Sequence, residues 1–250
     1  MEQMNPQLNG KIAIVTGAGR GIGKGIALAY ARAGASVCCA ARTREDIEET
    51  LKAVEQVGSR GLALQTDVTN VESVREMVDT AANYFGGLDI LVANAGDTFD
   101  RRTVEESDVD GWLATLNVNL FGAYYAAKFV IPHMRRRGAG KIITIGSGAG
   151  HKGMAGLSAQ SCSKAGLWML TRVLAQELWQ YNISVNELIP GPTKTERVLE
   201  LYGQGDDAPF NIDSEWVKET EDVASLALFL AGLPDKGPTA QSFSLMRRDN

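Results

Sequence analysis

The feature that most constrains the fold is the alternation of two hydrophobic periodicities along the chain. Short apolar runs alternate with longer amphipathic stretches, and no low-complexity segment or repeat interrupts them. The predicted strands are Lys11–Thr16, Ser36–Ala40, Leu62–Gln65, Ile90–Ala93, Lys141–Ile145, Ile183–Leu188 and a last one near Ser242–Leu245. The predicted helices lie near Ile22–Ala33, Arg44–Val57, Val71–Phe85, Thr103–Arg136, Ser158–Gln180 and Thr220–Leu230. This alternation predicts an α/β fold with one doubly wound domain over residues 1–250, in which helices flank a parallel seven-stranded sheet.

The composition fits one large globular domain in a reducing compartment. Of the 250 residues, 44% are hydrophobic and 22% charged, so the chain can bury a full core without disulfides or a structural metal. Cys38 and Cys39 are adjacent in an apolar run and Cys162 lies far from them, which gives no paired framework. We therefore expect a cytoplasmic protein without a metal site.

Charge and hydropathy limit the kinds of binding partner that we expect for this chain. The amino-terminal segment lacks a basic start followed by an apolar core, and no apolar stretch reaches the ~18 residues that a membrane span needs. A net charge of -5 disfavours a nucleic-acid surface. The one basic cluster, Arg135–Arg137, ends a helical pattern, where cations stabilise the helix dipole. We expect a small-molecule substrate, with neither nucleic acid nor membrane as partner.

A glycine-rich loop, TGAGRGIGKGIA, follows the first predicted strand at residues 16–27. Its glycines at 17, 19, 21 and 23 let the backbone approach a ligand closely, and amides at the start of the next helix can bind a pyrophosphate. A tight strand-to-helix turn is the alternative. The strand before the loop, the helix after it and its place at the first strand-to-helix turn favour the ligand site.

The spacing Gly17-x-x-x-Gly21-x-Gly23 resembles the loop of the short-chain dehydrogenase/reductase family. Further segments resemble the family in register from about residue 9 to 245: DVTN at Asp67–Asn70, VANAG at Val92–Gly96, the segment with Asn119, the segment with Ser147, and the Pro190-Gly191 turn with Thr195. The resemblance implies a Rossmann-type domain that binds a nicotinamide dinucleotide. The implied cofactor-binding residues are Gly17, Gly19, Arg20, Gly21, Ile22, Gly23, Arg42, Asp67, Val68, Asn94, Ala95, Gly96, Lys164, Pro190, Gly191 and Thr195.

The same resemblance implies a catalytic set with one substitution. In the family a serine, a tyrosine and a lysine four residues later act together, and an asparagine positions the lysine through water. Ser147, Lys164 and Asn119 match, whereas the tyrosine position, thirteen residues after Ser147, holds Gln160. An amide can orient a substrate oxygen by hydrogen bonding, but it cannot transfer a proton near neutral pH.

A substitute proton carrier is therefore needed, or the chemistry differs. His151 lies in the segment between Ser147 and the helix that carries Lys164, and imidazole titrates near pH 6.5; an exposed histidine at the rim is the alternative reading. Lys164 is a second candidate if burial lowers its pKa. Tyr124 and Tyr125 belong to the preceding predicted helix, where packing or an interface is favoured.

The end of the second strand bears on cofactor choice. An acidic residue seven positions after Gly34 would bind both ribose hydroxyls and repel a 2′-phosphate, but Ala41 stands there, followed by Arg42. Arg20 adds a cation in the glycine loop. The pattern resembles the NADP-preferring members, since guanidinium groups suit phosphate; either arginine could instead be solvated, which leaves NAD as the alternative.

Two further features concern the substrate and the assembly. Residues 195–218 are predicted to form a short acidic lid for a small or medium-sized substrate, and the carboxyl-terminal Met246-Arg247-Arg248 departs from the small-residue turn common in the family. The predicted helices Thr103–Arg136 and Ser158–Gln180 carry more apolar surface than one sheet face covers, which favours a homo-oligomer. In the family that this chain resembles, these helices pair with their copies across a dyad, and the resemblance implies a homotetramer. The candidates for core or interface positions are Phe121, Tyr125, Trp168 and Leu170.

Three functions remain open. The first, favoured by the intact cofactor motifs, is an NADP(H)-linked oxidoreductase acting on a carbonyl or secondary alcohol. The second is a non-redox enzyme on the same scaffold, such as an isomerase, dehydratase or cyclase, in which Ser147, Gln160 and Lys164 polarise an oxygen. The third is a cofactor-binding protein without turnover. A chain whose active-site tyrosine had been replaced deliberately would show the same pattern.

Overall fold

The computed structural model describes residues 6–202 and 215–246, and these form a parallel sheet covered by helices on both faces. The strands are β1 (Ile12–Thr16), β2 (Ser36–Ala41), β3 (Gly61–Gln65), β4 (Ile90–Ala93), β5 (Gly140–Ile145), β6 (Ile183–Ile189) and β7 (Ser242–Ser244), in the order β3-β2-β1-β4-β5-β6-β7. The helices are α1 (Gly21–Arg32), α2 (Arg44–Gln56), α3 (Val71–Phe85), α4 (Val109–Leu116), α5 (Gly122–Arg137), α6 (Ala149–Lys152), α7 (Ser158–Leu178), α8 (Glu196–Tyr202) and α9 (Thr220–Ala231). The predicted doubly wound α/β fold is confirmed.

The strands are apolar on both faces because each face is covered by helices. Along β1, Ala13 and Val15 pack with α1, α2 and α9, whereas Ile12 and Ile14 pack with α3, α5 and α7. The order reverses between β1 and β4, so the loops that follow these two strands diverge and leave a crevice at their carboxyl ends.

The predicted helix Thr103–Arg136 is wrong at its start, and it is two α-helices joined by a π-helical turn rather than one continuous helix. The chain turns over residues 103–108, and α4 begins only at Val109, because the Asp108 carboxylate accepts a hydrogen bond from the Gly111 amide at 2.8 Å and caps the helix. A π-helical turn, Asn117–Phe121, then joins α4 to α5. Wide turns of this kind often occur at functional sites.

Two short helices lie in segments predicted as irregular. The one-turn α6 contains His151, and α8 begins the predicted lid; four and seven residues are too few for a helical period to show in the sequence. Half of the predicted lid, residues 203–214, and Arg247-Arg248 lie outside the described residues. Within the described part of the chain, none of the helices has both the length and the apolar character needed to cross a bilayer.

Candidate active site

A cavity of about 410 Å³ opens at the carboxyl ends of the strands, where the sheet order reverses. Its lining includes these predicted site residues: Gly17, Gly19, Arg20, Gly21, Ile22, Gly23, Arg42, Asp67, Val68, Asn94, Ala95, Gly96, Asn119, Gln160, Lys164 and Thr195. The structure therefore brings the glycine loop together with Lys164, which lies far along the chain. Four other predicted residues, Ser147, His151, Pro190 and Gly191, lie outside this lining.

The glycine loop forms a cradle in which side chains do not fit. Gly17 and Gly21 have φ values of +66° and +55°, a conformation that favours glycine. A Cβ on Gly23 would overlap the carbonyl oxygen of Gly17, and a Cβ on Gly19 would lie 2.7 Å from the Cβ of Asp46. The cavity-lining backbone of this loop and the start of α1 fit the diphosphate of a dinucleotide.

Asn94 holds this cradle in place from the neighbouring strand. Its side-chain nitrogen donates to the carbonyl of Thr16 at 2.8 Å, and its own amide donates to the Thr16 hydroxyl at 3.0 Å. The amide of Ala95 donates to the same hydroxyl at 3.1 Å. These bonds join the ends of β1 and β4, so the two loops that form the crevice are positioned together.

Carboxylates from α8 contact the cradle. The Gly21 amide, at the start of α1, donates to Oε2 of Glu196 at 2.9 Å, and the Arg20 guanidinium pairs with Glu200 at 2.7 Å. The first amide of α1 thus already binds a negatively charged oxygen. This contact supports the assignment of the loop as an anion-binding site.

Acidic and basic groups line the adenosine end of the cavity. Arg42 follows β2 and is exposed at the cavity, where Asp46 of α2 and Asp67 after β3 also contribute to the lining. The Asp67 carboxylate caps its own turn, accepting bonds from the amide and hydroxyl of Thr69 at 2.9 and 2.8 Å. Arg42 is therefore an exposed cation in the cavity lining, close to two carboxylates along the chain and the sheet edge.

Lys164 is the buried cation of the site. Its side chain extends from α7, is buried, and donates to the carbonyl of Ile145 at 2.7 Å. Burial lowers the pKa of Lys164 to about 8, and attraction to the Glu187 carboxylate opposes that lowering. A lysine with this pKa is charged at neutral pH but can exchange its proton more readily than an exposed lysine.

Asn119 and Gln160 are linked through one hydroxyl. Asn119 is buried in the π-helical turn; its Oδ1 accepts from the Asp97 amide at 3.0 Å, and its Nδ2 donates to the Ser163 hydroxyl at 3.0 Å. The Ser163 hydroxyl donates in turn to the carbonyl of Gln160 at 3.0 Å. Asn119 is therefore fixed beside the helical turn that carries Gln160 and Lys164.

Ser147 and His151 lie next to this group, after β5. The Ser147 hydroxyl accepts a bond from the Ala149 amide at 3.2 Å. The His151 Nε2 contacts the carboxylate of Glu187 at 2.9 Å, and the imidazole packs against Trp168 with ring centroids 5.0 Å apart. The His151 ring is therefore positioned by the Glu187 carboxylate and does not line the cavity.

The sequence interpretation missed Glu187. This carboxylate is fully buried on β6, where it also accepts a bond from Ser242, and a Cβ on Gly146 would overlap it. A charged residue inside the predicted strand Ile183–Leu188 was the available signal, because a buried carboxylate requires partners. The cavity residues Asp97 and Arg101, in a loop, and Arg197, in the short helix α8, were also missed, since segments of this kind show no hydrophobic periodicity.

Comparisons with known proteins agree over nearly the whole chain. A model of the family described as short chain dehydrogenase matches residues 11–204. The chain is 36% identical over 237 residues to trans-4-hydroxycyclohexanecarboxylate dehydrogenase of Sinomonas cyclohexanicum, covering 92% of this chain and 89% of that protein. It is 32% identical over 226 residues to a 3-oxoacyl-acyl-carrier-protein reductase of Thermotoga maritima, covering 90% and 92%.

A solved structure supports the same assignment. The crystal structure of NAD+-bound xylitol dehydrogenase superimposes with a TM-score of 0.90 at 27% identity, covering 96% of this chain and 99% of that one. The glycine cradle, the crevice at the reversal of strand order and the matched residues 11–204 all point to one conclusion. The chain belongs to the short-chain dehydrogenase/reductase family, whose members are oxidoreductases that use a nicotinamide cofactor.

Proposed function

We propose that this enzyme is an NADP(H)-linked oxidoreductase acting on the carbonyl or secondary alcohol of a small or medium-sized substrate, with Gln160 in the place of the family's tyrosine acid. The observation that supports this most strongly is the single cavity that joins the glycine cradle to buried Lys164 and Asn119 around Gln160. The residues proposed to bind the cofactor match the family's motifs, whereas the residue at the position of the family's proton donor does not.

The residues of this chain have distinct tasks in the proposed reaction. When bound, the nicotinamide dinucleotide supplies or accepts the hydride. The cradle amides bind its diphosphate, and Lys164 holds its ribose. Ser147 and the Gln160 amide donate hydrogen bonds to the substrate oxygen, which favours charge developing there. Lys164, with its pKa of about 8, gives the proton to that oxygen during reduction.

A variant at Gln160 tests this proposal. A tyrosine there restores a positioned acid, so Gln160→Tyr should accelerate reduction of simple ketones by roughly 10²–10⁴-fold while leaving cofactor affinity unchanged. Gln160→Phe, of similar size but without the hydroxyl, is the matched control and should not accelerate the reaction. Steady-state rates and cofactor titrations measure both effects.

Two outcomes would contradict the proposal. If the native protein reduces ketones as fast as Gln160→Tyr, the proton source has been assigned wrongly. If Gln160→Tyr binds cofactor but reduces nothing, the site is built for non-redox chemistry or for binding alone. His151→Ala tests the other candidate proton source: a large rate loss, together with a changed pH profile, assigns the acid to His151 rather than to Lys164.

The assembly and location are part of the same proposal. Apolar side chains exposed on α4, α5 and α7 support a homotetramer. All three cysteines are free, with Cys38 and Cys39 buried in β2 and Cys162 exposed on α7, which supports a reducing compartment such as the cytoplasm.

A further inference from the structure

The buried carboxylate of Glu187 faces the helix that carries the lysine of the site. Glu187 lies on β6 directly opposite Thr144 of β5. Residues paired in this way on neighbouring strands point to the same face of a sheet. The Thr144 hydroxyl lies 2.8 Å from that of Thr171 on α7, so α7 covers this face. The Glu187 side chain therefore points towards α7, from which Lys164 extends.

The end of β5 brings this carboxylate close to Lys164. The Lys164 ammonium donates to the carbonyl of Ile145 at 2.7 Å, and a Cβ on the next residue, Gly146, would overlap the Glu187 carboxylate. Since consecutive Cα atoms are about 3.8 Å apart, the two charged groups contact neighbouring residues of the chain. The glycine at position 146 leaves the space that the carboxylate occupies.

Helix α6 contacts the same two side chains. A Cβ on Gly150 would lie 2.9 Å from the Cβ of Lys164, and the imidazole of the next residue, His151, contacts the Glu187 carboxylate at 2.9 Å. Lys164 and Glu187 are both buried. Their charged groups therefore lie together between the ends of β5 and β6 and the helices α6 and α7.

The charges of these two groups compensate each other. Lys164 donates to a neutral carbonyl, while Glu187 accepts from the Ser242 hydroxyl at 2.5 Å and contacts His151, which is charged only if protonated. Among the described residues, neither group thus has a permanently charged hydrogen-bond partner. A buried charge without a nearby opposite charge is costly. Burial lowers the pKa of Lys164 to about 8, and attraction to Glu187 acts in the opposite direction.

Other titratable groups on the surrounding segments are paired elsewhere or face solvent. Asp97, after β4, lies 3.3 Å from the guanidinium of Arg197. Lys152 of α6 and Asp110 of α4 are exposed. The buried carboxylate on β6 is therefore the charge best placed to act on Lys164.

We propose that Glu187 is a positioning residue of the active site: it is the buried counter-ion that keeps Lys164 charged, and His151 and Ser242 hold its carboxylate in place. This inference rests on the proposed function, in which Lys164 gives the proton. Without the carboxylate, the buried lysine would lose its proton at lower pH. Glu187 therefore extends the pH range in which the proton donor is available.

Glu187→Gln tests the proposal, because the amide keeps the shape and hydrogen-bonding capacity of the side chain but removes its charge. In protein labelled with carbon-13 lysine, NMR follows the Lys164 Cε signal, assigned by its loss in Lys164→Arg. This readout does not depend on turnover. The titration of Lys164 in Glu187→Gln should shift to lower pH, and the fall in the rate of ketone reduction should shift with it.

Two variants serve as controls. Glu187→Asp retains the charge and should retain most of the native titration. Asp89→Asn removes a different buried carboxylate, which pairs with Arg137 at 3.0 Å and binds the first amide of β1, at the opposite end of the strands. This variant should leave the titration of Lys164 unchanged.

Gly146→Ala tests where the carboxylate lies. The added methyl group needs the space of the Glu187 side chain, so this variant should have a lower melting temperature than the native protein. The double variant Gly146→Ala/Glu187→Ala removes the overlap and should recover stability, while its Lys164 titration stays at lower pH. If Glu187→Gln does not fold, the double variant carries the same expectation for the titration.

An unchanged Lys164 titration in Glu187→Gln, an equal shift in Asp89→Asn, or a Gly146→Ala variant as stable as the native protein would overturn the inference. The two proposals fail separately. If the titration shifts in Glu187→Gln but the rate profile does not follow it, or no ketone is reduced, the proposed function falls and the role of Glu187 as counter-ion stands.

Discussion

At the scale of single residues, Arg42 decides the proposed cofactor preference. Arg42→Ala should weaken NADPH binding roughly tenfold or more, since it removes a charge-assisted contact with the 2′-phosphate, and should leave NADH binding nearly unchanged. Arg44→Ala, whose exposed guanidinium pairs with Glu48 at 2.7 Å, is the matched control. Fluorescence titrations with both cofactors measure the effect; native protein that binds NADH as tightly as NADPH would refute the assignment.

Lys164 should set the pH dependence. Its pKa of about 8 means that the rate of ketone reduction falls as pH rises above 8, because the neutral amine is no longer the acid. In the unfolded chain the pKa of a lysine is about 10.4. Between pH 8 and that value the unfolded state therefore binds more protons than the folded state. The contribution of Lys164 to the free energy of unfolding therefore rises with pH across that window.

Rate profiles from pH 6 to 10 check this. Lys164→Arg keeps its charge throughout and should lack the break near pH 8, whatever its rate; an identical break in this variant would assign the titration to another group.

The sequence predicted the site residues that stand at regular spacings along the chain. It did not predict those whose contacts form only when distant elements come together. Lys164 and Gln160 are four positions apart and share a helical face, which a pattern can show. Glu187 meets His151 from 36 positions away and Ser242 from 55, and such contacts exist only once β6, α6 and β7 are assembled. Arg101 was missed for a related reason, because only the folded structure shows that Arg101 lines the cavity and that Arg102 does not.

At the scale of elements, strands were predicted to within a residue or so because most of them are buried, largely apolar runs bounded by polar turns. The start of α4 was misplaced because residues 103–108 bond locally instead of forming helix. The Thr103 hydroxyl donates to Glu106 and the Ser107 hydroxyl to the carbonyl of Val104, both at 2.8 Å. Local bonds of this kind compete with helix formation.

At the scale of the whole molecule, apolar side chains remain exposed on adjoining helices. Trp112 of α4 donates to Ser158 of α7 at 3.1 Å, so these helices form one continuous surface. Its side chains between 41% and 49% exposed are Leu113, Phe121, Tyr124, Met169 and Val173. Tyr125 and Leu170, which were predicted as core or interface residues, are partly buried and pack against the core.

Light scattering should accordingly give about four times the 26.8 kDa chain mass at micromolar concentration. Val173→Asp should dissociate the assembly, because a carboxylate cannot be buried there without a partner. Val104→Asp, in the exposed turn ahead of α4, should leave the mass unchanged. A monomer in the native protein would refute the assembly.

The carboxylate of Glu196 accepts a hydrogen bond from the first amide of α1, a donor that the diphosphate of a dinucleotide would also need. The protein therefore carries its own competitor for that donor. If both anions require it, the apparent cofactor affinity is the intrinsic affinity multiplied by the fraction of molecules in which the Gly21 amide is not bound to Glu196.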